Sequence, residues 1–420
     1  MQIDTKNGVC YNRVYFFKIK EKRTMKKTII KALCLVIVSV MALACFASCG
    51  NTVNYAENNT TIKVGVSGPL TGGAAMYGIA VKNSAQLAID EINAAGGING
   101  IMLELVAADD KHDPTLVSTT YTTLYEGGCQ LFLGTVTTAP GIQFKSYALE
   151  DGIFYLTPSA SGDDISSKDG GFQMCFADSN QGTASANYFN ENYKGKKVGI
   201  FYKADDDYSV GIKNNFVANL DASFGTVVEA SFTGDAAMFD SQISKLKDCD
   251  IIFMPIYYTP ASQFMKQAKS TVKANAIYFG CDGFDGIDAV DGFDIKSITQ
   301  EVSYLSHFDS TAKTGPAADY IKAYEAKYPN QPLNQFGAAA YDCVYAMVEA
   351  LKASGETVSA TMSAQDYAEI LLNQFTDDSF VFHGVTGECK NGNKSDITWN
   401  DDGTVSKTAV KYVVKEASAN

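Results

Sequence analysis

The most constraining stretch of this chain is residues 61–110, TIKVGVSGPLTGGAAMYGIAVKNSAQLAIDEINAAGGINGIMLELVAADD. Ile62, Val64 and Val66 alternate with polar or small residues, the period of a strand, and Gly68-Pro69 breaks the run. Thr71-Gly72-Gly73 then leads into a segment whose apolar residues, Ala80, Val81, Ala85, Leu87, Ala88 and Ile92, fall at helical spacing. Gly96-Gly97 stops that helix. A second apolar run over 101–107 ends on the paired acids Asp109 and Asp110. A strand, a crossover helix and a second strand make a βαβ unit, which dictates a parallel sheet covered by helices. Ligands of such units bind beyond the carboxyl ends of the strands, near helix N-termini, so the loop 68–77 is the first candidate site.

Strand and helix patterns alternate along the rest of the chain, which makes it α/β. Its beginning reads differently. Met25-Lys26-Lys27 opens a basic segment, residues 32–47 are almost unbroken apolar, and Ala47-Ser48-Cys49-Gly50 closes it in small residues. This is the pattern of a secretion signal, and the apolar run is short for a membrane span of about 20 residues. Small residues before a cysteine resemble a bacterial lipobox, implying cleavage before Cys49 and a lipid on its sulfur; Cys45 is the rival position. Residues 1–24 then read as an upstream extension, 25–48 as the signal, and 49–60 as anchor and polar tether. About 360 residues remain, enough for two domains of ordinary size.

The chain carries 34 Lys+Arg and 47 Asp+Glu. Residues 1–49 hold 9 basic and 2 acidic residues, which leaves 25 against 45 in the remainder. So acidic a balance argues against nucleic acid, whose binding requires neutralised phosphates. Both arginines, Arg13 and Arg23, lie in the leader. With no guanidinium after it, bidentate clamps on phosphate or carboxylate are excluded. A bound carboxylate must rely on hydroxyls, backbone N–H groups, helix N-termini or lysine. Cys129, Cys175, Cys249, Cys281, Cys343 and Cys389 show no CxxC spacing, and several sit in apolar runs. Free core thiols are expected, with disulfides the alternative for an exported protein.

Candidate polar loops follow successive strands. Residues 114–125 read as a helix capped by Asp113, and 130–133 as a buried strand leading into Gly134-Thr135-Val136-Thr137-Thr138-Ala139-Pro140 before a helix over 141–150. Thr137 and Thr138 therefore sit at a helix N-terminus, either as an ordinary N-cap or as donors to an anion. The next strand, 152–156, ends in Thr157-Pro158-Ser159-Ala160-Ser161-Gly162, a second hydroxyl-rich loop on the same rim. After Asp178-Ser179-Asn180-Gln181-Gly182 and a helix over 183–193, a new lobe begins with a strand over 197–202. Its end carries Asp205-Asp206-Asp207-Tyr208; without an EF-hand spacing these acids read as a solvated loop rather than a calcium site. Strands over 226–231 and 251–254 follow, the latter ending at Tyr257-Tyr258, where aromatics serve either packing or a ligand. The strand over 276–280 runs into Cys281-Asp282-Gly283-Phe284. An acid just beyond a buried strand is partly desolvated and favours an ammonium group, unless it merely caps the turn. The acids at 285, 288, 291 and 294 read as solvated surface. Beyond Ser306 the chain returns to the first lobe, with helices over 318–327 and 338–352, and lone Trp399 reads as packing.

The motif GPLTGxxAxYG, a helix closing on DEINAAGGINGxxLEL and a strand closing on DDKHDP resemble the start of the leucine/isoleucine/valine-binding proteins, the extracytoplasmic receptors of amino-acid ABC importers. The likeness extends to the FxGxTG and DxxG patterns near the C-terminus. It implies the type I periplasmic-binding-protein fold: two Rossmann-like α/β lobes with parallel sheets joined by a multi-strand hinge. Lobe one would comprise 61–181 and 308–376, and lobe two 182–307 and 377–416. It also implies that Thr137, Thr138, the Ala160 backbone and Ser161 hold the α-carboxylate and α-ammonium of an amino acid. Tyr208 and Tyr257 would close over it from lobe two, with Tyr258 in reserve, Asp282 would pair with the amine, and Tyr77 would flank the side chain. Disulfide-bearing relatives place a cysteine near His112, so that bridge is lost here.

The implied function is a lipid-anchored substrate-binding protein at the extracytoplasmic face of a bacterial membrane, passing an amino acid, branched-chain for preference, to permease and ATPase subunits. Receptors for amides, urea or aromatic acids, and a sensory ligand-binding module, are the alternatives. No cofactor or metal is expected. His112, His307 and His383 share no ligand spacing, and neither a G-x-S-x-G elbow nor a close-spaced G-x-G-x-x-G occurs, so an enzyme is not expected.

Overall fold

The computed structural model describes residues 53–55, 59–389, 392–407 and 409–418. The readings of 1–24, of the signal 25–48 and of Cys49 lie outside them. Ile62, Val64 and Val66 are buried in β1 (Ile62–Gly68), which pairs in parallel with β2 (Leu103–Asp109) from Ile62↔Leu103 to Gly68↔Asp109. The crossover helix α1 (Ala75–Ala94) buries Ala80, Val81, Ala85, Leu87, Ala88 and Ile92. It ends where Gly97 takes φ +71° and returns its N–H to Ile92 at 2.9 Å. A Cβ there would stand 2.1 Å from the Ile101 carbonyl oxygen, so the stop requires glycine.

Lobe one continues with α2 (Val117–Glu126), β3 (Leu131–Phe132), α3 (Thr138–Glu150), β4 (Tyr155–Thr157) and β5 (Gly171–Gln173), giving a parallel sheet of order β2-β1-β3-β4-β5. Asp113 accepts the Thr115 N–H at 2.9 Å ahead of α2. Then α4 (Asp178–Asn192) opens lobe two, followed by β6 (Val198–Lys203), α5 (Asp207–Asn219), β7 (Val228–Phe232), α6 (Asp240–Leu246), β8 (Ile251–Met254), α7 (Tyr258–Ala268), β9 (Ile277–Gly280) and β10 (Glu301–Ser306). The chain returns to lobe one through α8 (Gly315–Lys327), α9 (Gln335–Ala353) and α10 (Ala364–Phe375). It finishes with β11 (Phe382–Gly384), β12 (Ser395–Trp399), β13 (Val405–Ser406) and β14 (Val410–Lys415). The lobe-two sheet has order β14-β10-β9-β8-β6-β7, parallel except for β14 on β10.

Three details differ from the sequence reading. Of residues 377–416, only β14 joins the lobe-two sheet. Strands β11 to β13 form a separate antiparallel sheet against lobe one: the Trp399 indole N–H donates to the Gln173 carbonyl at 2.8 Å and its ring packs 4.5 Å from Phe375. The described part of the expected tether is docked. Tyr55 is buried beside Val117 and Tyr121, and Asn59 donates to the Gly128 carbonyl at 2.8 Å. Helices α3 and α4 begin earlier than expected, at Thr138 and Asp178.

The hinge gathers around Lys407. Its ammonium donates to the Met174 carbonyl at 2.5 Å and to Thr386 Oγ1 at 2.6 Å from a half-buried side chain, while Gly387 N–H reaches the His307 carbonyl. Burial lowers Lys407 to about 8, opposed chiefly by the Asp342 carboxylate. Five of the six described cysteines are buried and Cys389 is half-buried, all as free thiols.

Candidate functional site

In lobe one β1 lies between β2 and β3, and in lobe two β6 lies between β7 and β8. Connections leave in opposite directions at these two points, so each sheet opens a crevice at its strand ends. The two crevices face each other.

On lobe one, Thr137 is the residue before α3 and Thr138 its first. Thr137 makes no capping bond; its hydroxyl instead lies 2.9 Å from His112 Nδ1. Thr138 Oγ1 accepts the Gly162 N–H at 3.2 Å, tying the loop after β3 to the loop after β4. Ser159 and Ser161 complete this hydroxyl rim. Ala160 does not reach it: its N–H donates to Thr157 Oγ1 at 3.1 Å and its carbonyl accepts from Gln173 Nε2 at 3.1 Å, so both backbone groups are used within the lobe.

On lobe two, Tyr208 lies in the first turn of α5, whose N-cap Asp206 accepts the Ser209 N–H at 3.0 Å. The middle acid of the 205–207 run is thus a buried helix cap, and Asp205 accepts the Gly234 N–H at 2.8 Å. Tyr208 donates to Asp282 Oδ1 at 2.6 Å and accepts the Gly283 N–H at 2.9 Å. Its ring stacks on Tyr257 at 4.5 Å and 10°. A Cβ on Gly283 would come within 2.6 Å of the Tyr208 oxygen and 2.7 Å of the Ile256 carbonyl, so this knot closes only around glycine. Tyr77, from α1, crosses between lobes and donates to the Gly283 carbonyl at 2.6 Å; its ring meets Tyr258 and Phe336 edge-on. Thr259 Oγ1 donates to the Gly73 carbonyl at 2.8 Å beside it.

Seven sequence-predicted residues therefore line one interlobe cavity: Tyr77, Thr137, Thr138, Ser161, Tyr208, Tyr257 and Asp282, joined by Val136, Ser159, Gly283 and Phe336. At ≈ 10 Å³ it has room for about one water, so the lobes stand closed over it. A larger cavity of ≈ 350 Å³ lies at the hinge between the end of β10 and the start of α8, bordered by Ser306, His307 and Thr314. None of the seven sequence-predicted residues lines it; the convergent hydroxyls, rings and carboxyl belong to the smaller space, which is the candidate site.

Burial pushes the Asp282 carboxyl up to about 7, against the pull of its Tyr208 hydrogen bond. Asp178, the first residue of α4, is equally buried; desolvation and then the Asp282 charge push it well up, and neither of its oxygens finds a hydrogen-bond partner. The Ser161 hydroxyl beside it pulls the other way. Gln181, one turn along α4, accepts the Asp282 N–H at 3.2 Å. Two buried carboxyls near one another, with no basic side chain paired to either, make this corner favourable to a cation. Sequence reasoning passed over Asp178 by starting the helix at Thr183. The signal was an acid at the head of a helix. It also passed over His112, which burial lowers to about 4 and holds neutral.

Asp285, expected on a solvated surface, is a correction. It is buried between the lobes, where its carboxylate accepts the N–H of Gln335, the first residue of α9, at 2.8 Å. Burial raises it to about 6. A helix N-terminus attracts an anion, which is why this acid turns inward.

Residues 61–386 match the periplasmic binding protein family. A leucine-, isoleucine-, valine-, threonine- and alanine-binding protein of Pseudomonas aeruginosa is 27% identical over 387 residues, covering 89% of this chain and 97% of its own. The branched-chain amino acid substrate-binding protein LivJ of Streptococcus pneumoniae, solved with isoleucine, superposes with a TM-score of 0.70 at 27% identity over 84% of this chain and 98% of its own. An R. palustris solute-binding protein solved with benzoate also has TM-score 0.70, at 18% identity over 85% of this chain and 94% of its own, and shares the fold. The two parallel-sheet lobes are the fold that this chain shares with these solved structures. The chain belongs to the periplasmic binding protein family, with the type I fold of the leucine/isoleucine/valine-binding proteins.

Proposed function

We propose that the protein binds an α-amino acid with an apolar side chain, branched-chain for preference, between its lobes and passes it to the permease of an ABC importer. The observation that carries this reading is the division of labour across the cleft. Thr137, Thr138 and Ser161 line one side of the cavity, and Asp282 lines the other together with the Tyr208 and Tyr257 rings. Hydroxyls and the N-terminus of α3 suit a carboxylate, the buried Asp282 suits an ammonium, and Tyr77, Tyr257 and Phe336 suit an apolar side chain. Ligand contacts on both lobes favour the closed form, which is the form a permease can distinguish. Lipidation at Cys49 would hold the protein at the extracytoplasmic face of the membrane; among the described residues no helix is long and apolar enough to cross it.

An aromatic acid is the second reading, favoured by the fold shared with the benzoate-bound protein. Such a ligand has no cation for the buried Asp282 carboxyl. A thermal-shift screen with the twenty amino acids, urea, short amides and benzoate separates the readings, since a ligand specific for the folded form raises the melting temperature. A rise with leucine, isoleucine or valine is expected. A rise with benzoate or an amide but no amino acid would overturn the proposal.

A further inference from the structure

The turn after β2 is held in a shape that its residues would not choose. Lys111 and His112 both lie in the left-handed region, at φ 55° and 63°, in consecutive positions. The paired acids before them keep them there. Asp109 Oδ1 accepts the Lys111 N–H at 3.0 Å, and Asp110 Oδ1 accepts the His112 N–H at 3.0 Å, while Ser67 anchors the other Asp110 oxygen at 2.9 Å. The strained turn delivers the imidazole to the cleft. Its Nδ1 lies 2.9 Å from Thr137 Oγ1, and its ring meets Tyr257 of the opposite lobe at 5.2 Å and 80°. Thr137, in the N-cap position of α3, has given up the bond a cap residue usually makes.

We propose that His112 is a positioning residue for ligand binding: it carries its proton on Nδ1 and donates it to Thr137 Oγ1, which leaves the Thr137 hydroxyl proton to point at a ligand carboxylate. The reasoning is a count of protons. A neutral imidazole has one N–H, and a hydroxyl has one proton and two lone pairs. If Nδ1 were bare, Thr137 would donate to His112 and show the cleft only lone pairs, which repel a carboxylate. With Nδ1 protonated, one lone pair is used and the hydroxyl proton is free. The contact with Tyr257 extends the same ring to the closing lobe, so the residue that orients Thr137 also packs against the lid. The ligand side of this inference rests on the amino-acid reading above; the tautomer does not.

The test has two arms. Nitrogen NMR of the imidazoles in the ligand-free protein near neutral pH reads the tautomer directly, and with His112, His307 and His383 alone in the chain, His112→Asn identifies its signal by loss. A protonated Nδ1 is expected; an Nε2–H tautomer or an imidazolium overturns the proposal whatever the ligand proves to be. Calorimetric titration with L-isoleucine then compares His112→Ala, His112→Asn, Thr137→Val and the double variant His112→Ala/Thr137→Val. Asparagine tolerates the left-handed turn and places an N–H where Nδ1 stands, so it should keep affinity within about threefold, whereas alanine loses about tenfold. The double variant should be no weaker than Thr137→Val alone. Additive losses, or an asparagine variant as weak as alanine with an unchanged melting temperature, would overturn the positioning role. Should L-isoleucine bind none of the forms, the amino-acid reading fails and the NMR arm still decides the tautomer.

Discussion

Lobe one meets the cleft with loop ends and hydroxyls, and lobe two with rings and a carboxyl. On lobe one, Thr137 and Thr138 are placed by the start of α3, and their hydroxyl contacts, to His112 and Gly162, stay within the lobe. On lobe two, Tyr208, Tyr257 and Asp282 come from three different strand ends and hold one another through the Tyr208–Asp282 bond and the ring stack. The first face is neutral and finished before the lobes meet. The second has a group that burial leaves poised to change charge near neutral pH. A zwitterion would thus find a fixed anion-binding half and a titratable cation-binding half. The cores beneath differ as well: lobe two rests on a ring cluster in which Phe201 lies 5.1 Å from Phe232, 5.0 Å from Phe239 and 4.3 Å from Phe264.

The largest effect should come from that cluster. Phe201→Ala removes a fully buried ring and should destabilise the protein by about 3–5 kcal/mol; an unchanged midpoint in urea unfolding would mean that lobe two does not depend on this core. Next, Asp282→Ala leaves a ligand ammonium buried without its partner and should weaken isoleucine binding by about 2–5 kcal/mol. Calorimetry checks it, and equal affinity would make the carboxyl a structural partner of Tyr208 alone.

The pH dependence sharpens the contrast between the halves. Asp282 stands near 7 without ligand, and an adjacent ammonium depresses it, so binding requires the charged form and releases a proton. The stabilisation is present above pH 7 and is lost as pH falls, by up to about 1.4 kcal/mol per unit. Titrations in buffers of different ionisation enthalpy should show proton release near pH 6.5, absent in Asp282→Asn; proton uptake would reverse the assignment. The smallest effect belongs to lobe one, where Thr138→Val frees the Gly162 N–H and should cost about 1 kcal/mol in stability. A larger loss in affinity than in stability would show that this hydroxyl also serves the ligand.

Much of the fold was legible because periodicity reports local structure. The β1-α1-β2 unit was visible in residues 62–107, and β8 matches its apolar run to the residue. Strand β10, Glu301–Ser306, was not visible, because its mixed composition is buried only by pairing with β9 and β14. Helix α10 was passed over although Ser363 and Asp366 form a capping box ahead of Tyr367, Ala368, Leu371 and Phe375. The cavity lining was legible where a residue closely follows a strand, as with Asp282. Contacts between distant segments were not legible, as with Asp178 near Asp282 or Asp285 at the head of α9.

What the sequence alone determined is the α/β class, the polar loops that follow the strands and the absence of arginine after Arg23, since each depends on residue type and local spacing. What only the tertiary structure decided is which polar groups spend their hydrogen bonds on the protein and which face the cleft. Ala160 is silent because Thr157 and Gln173 take both its backbone groups, and Thr137 is turned because His112 takes its oxygen. Hydrogen bonds between residues far apart in the chain exist only once packing has brought them together, and burial then sets their charge.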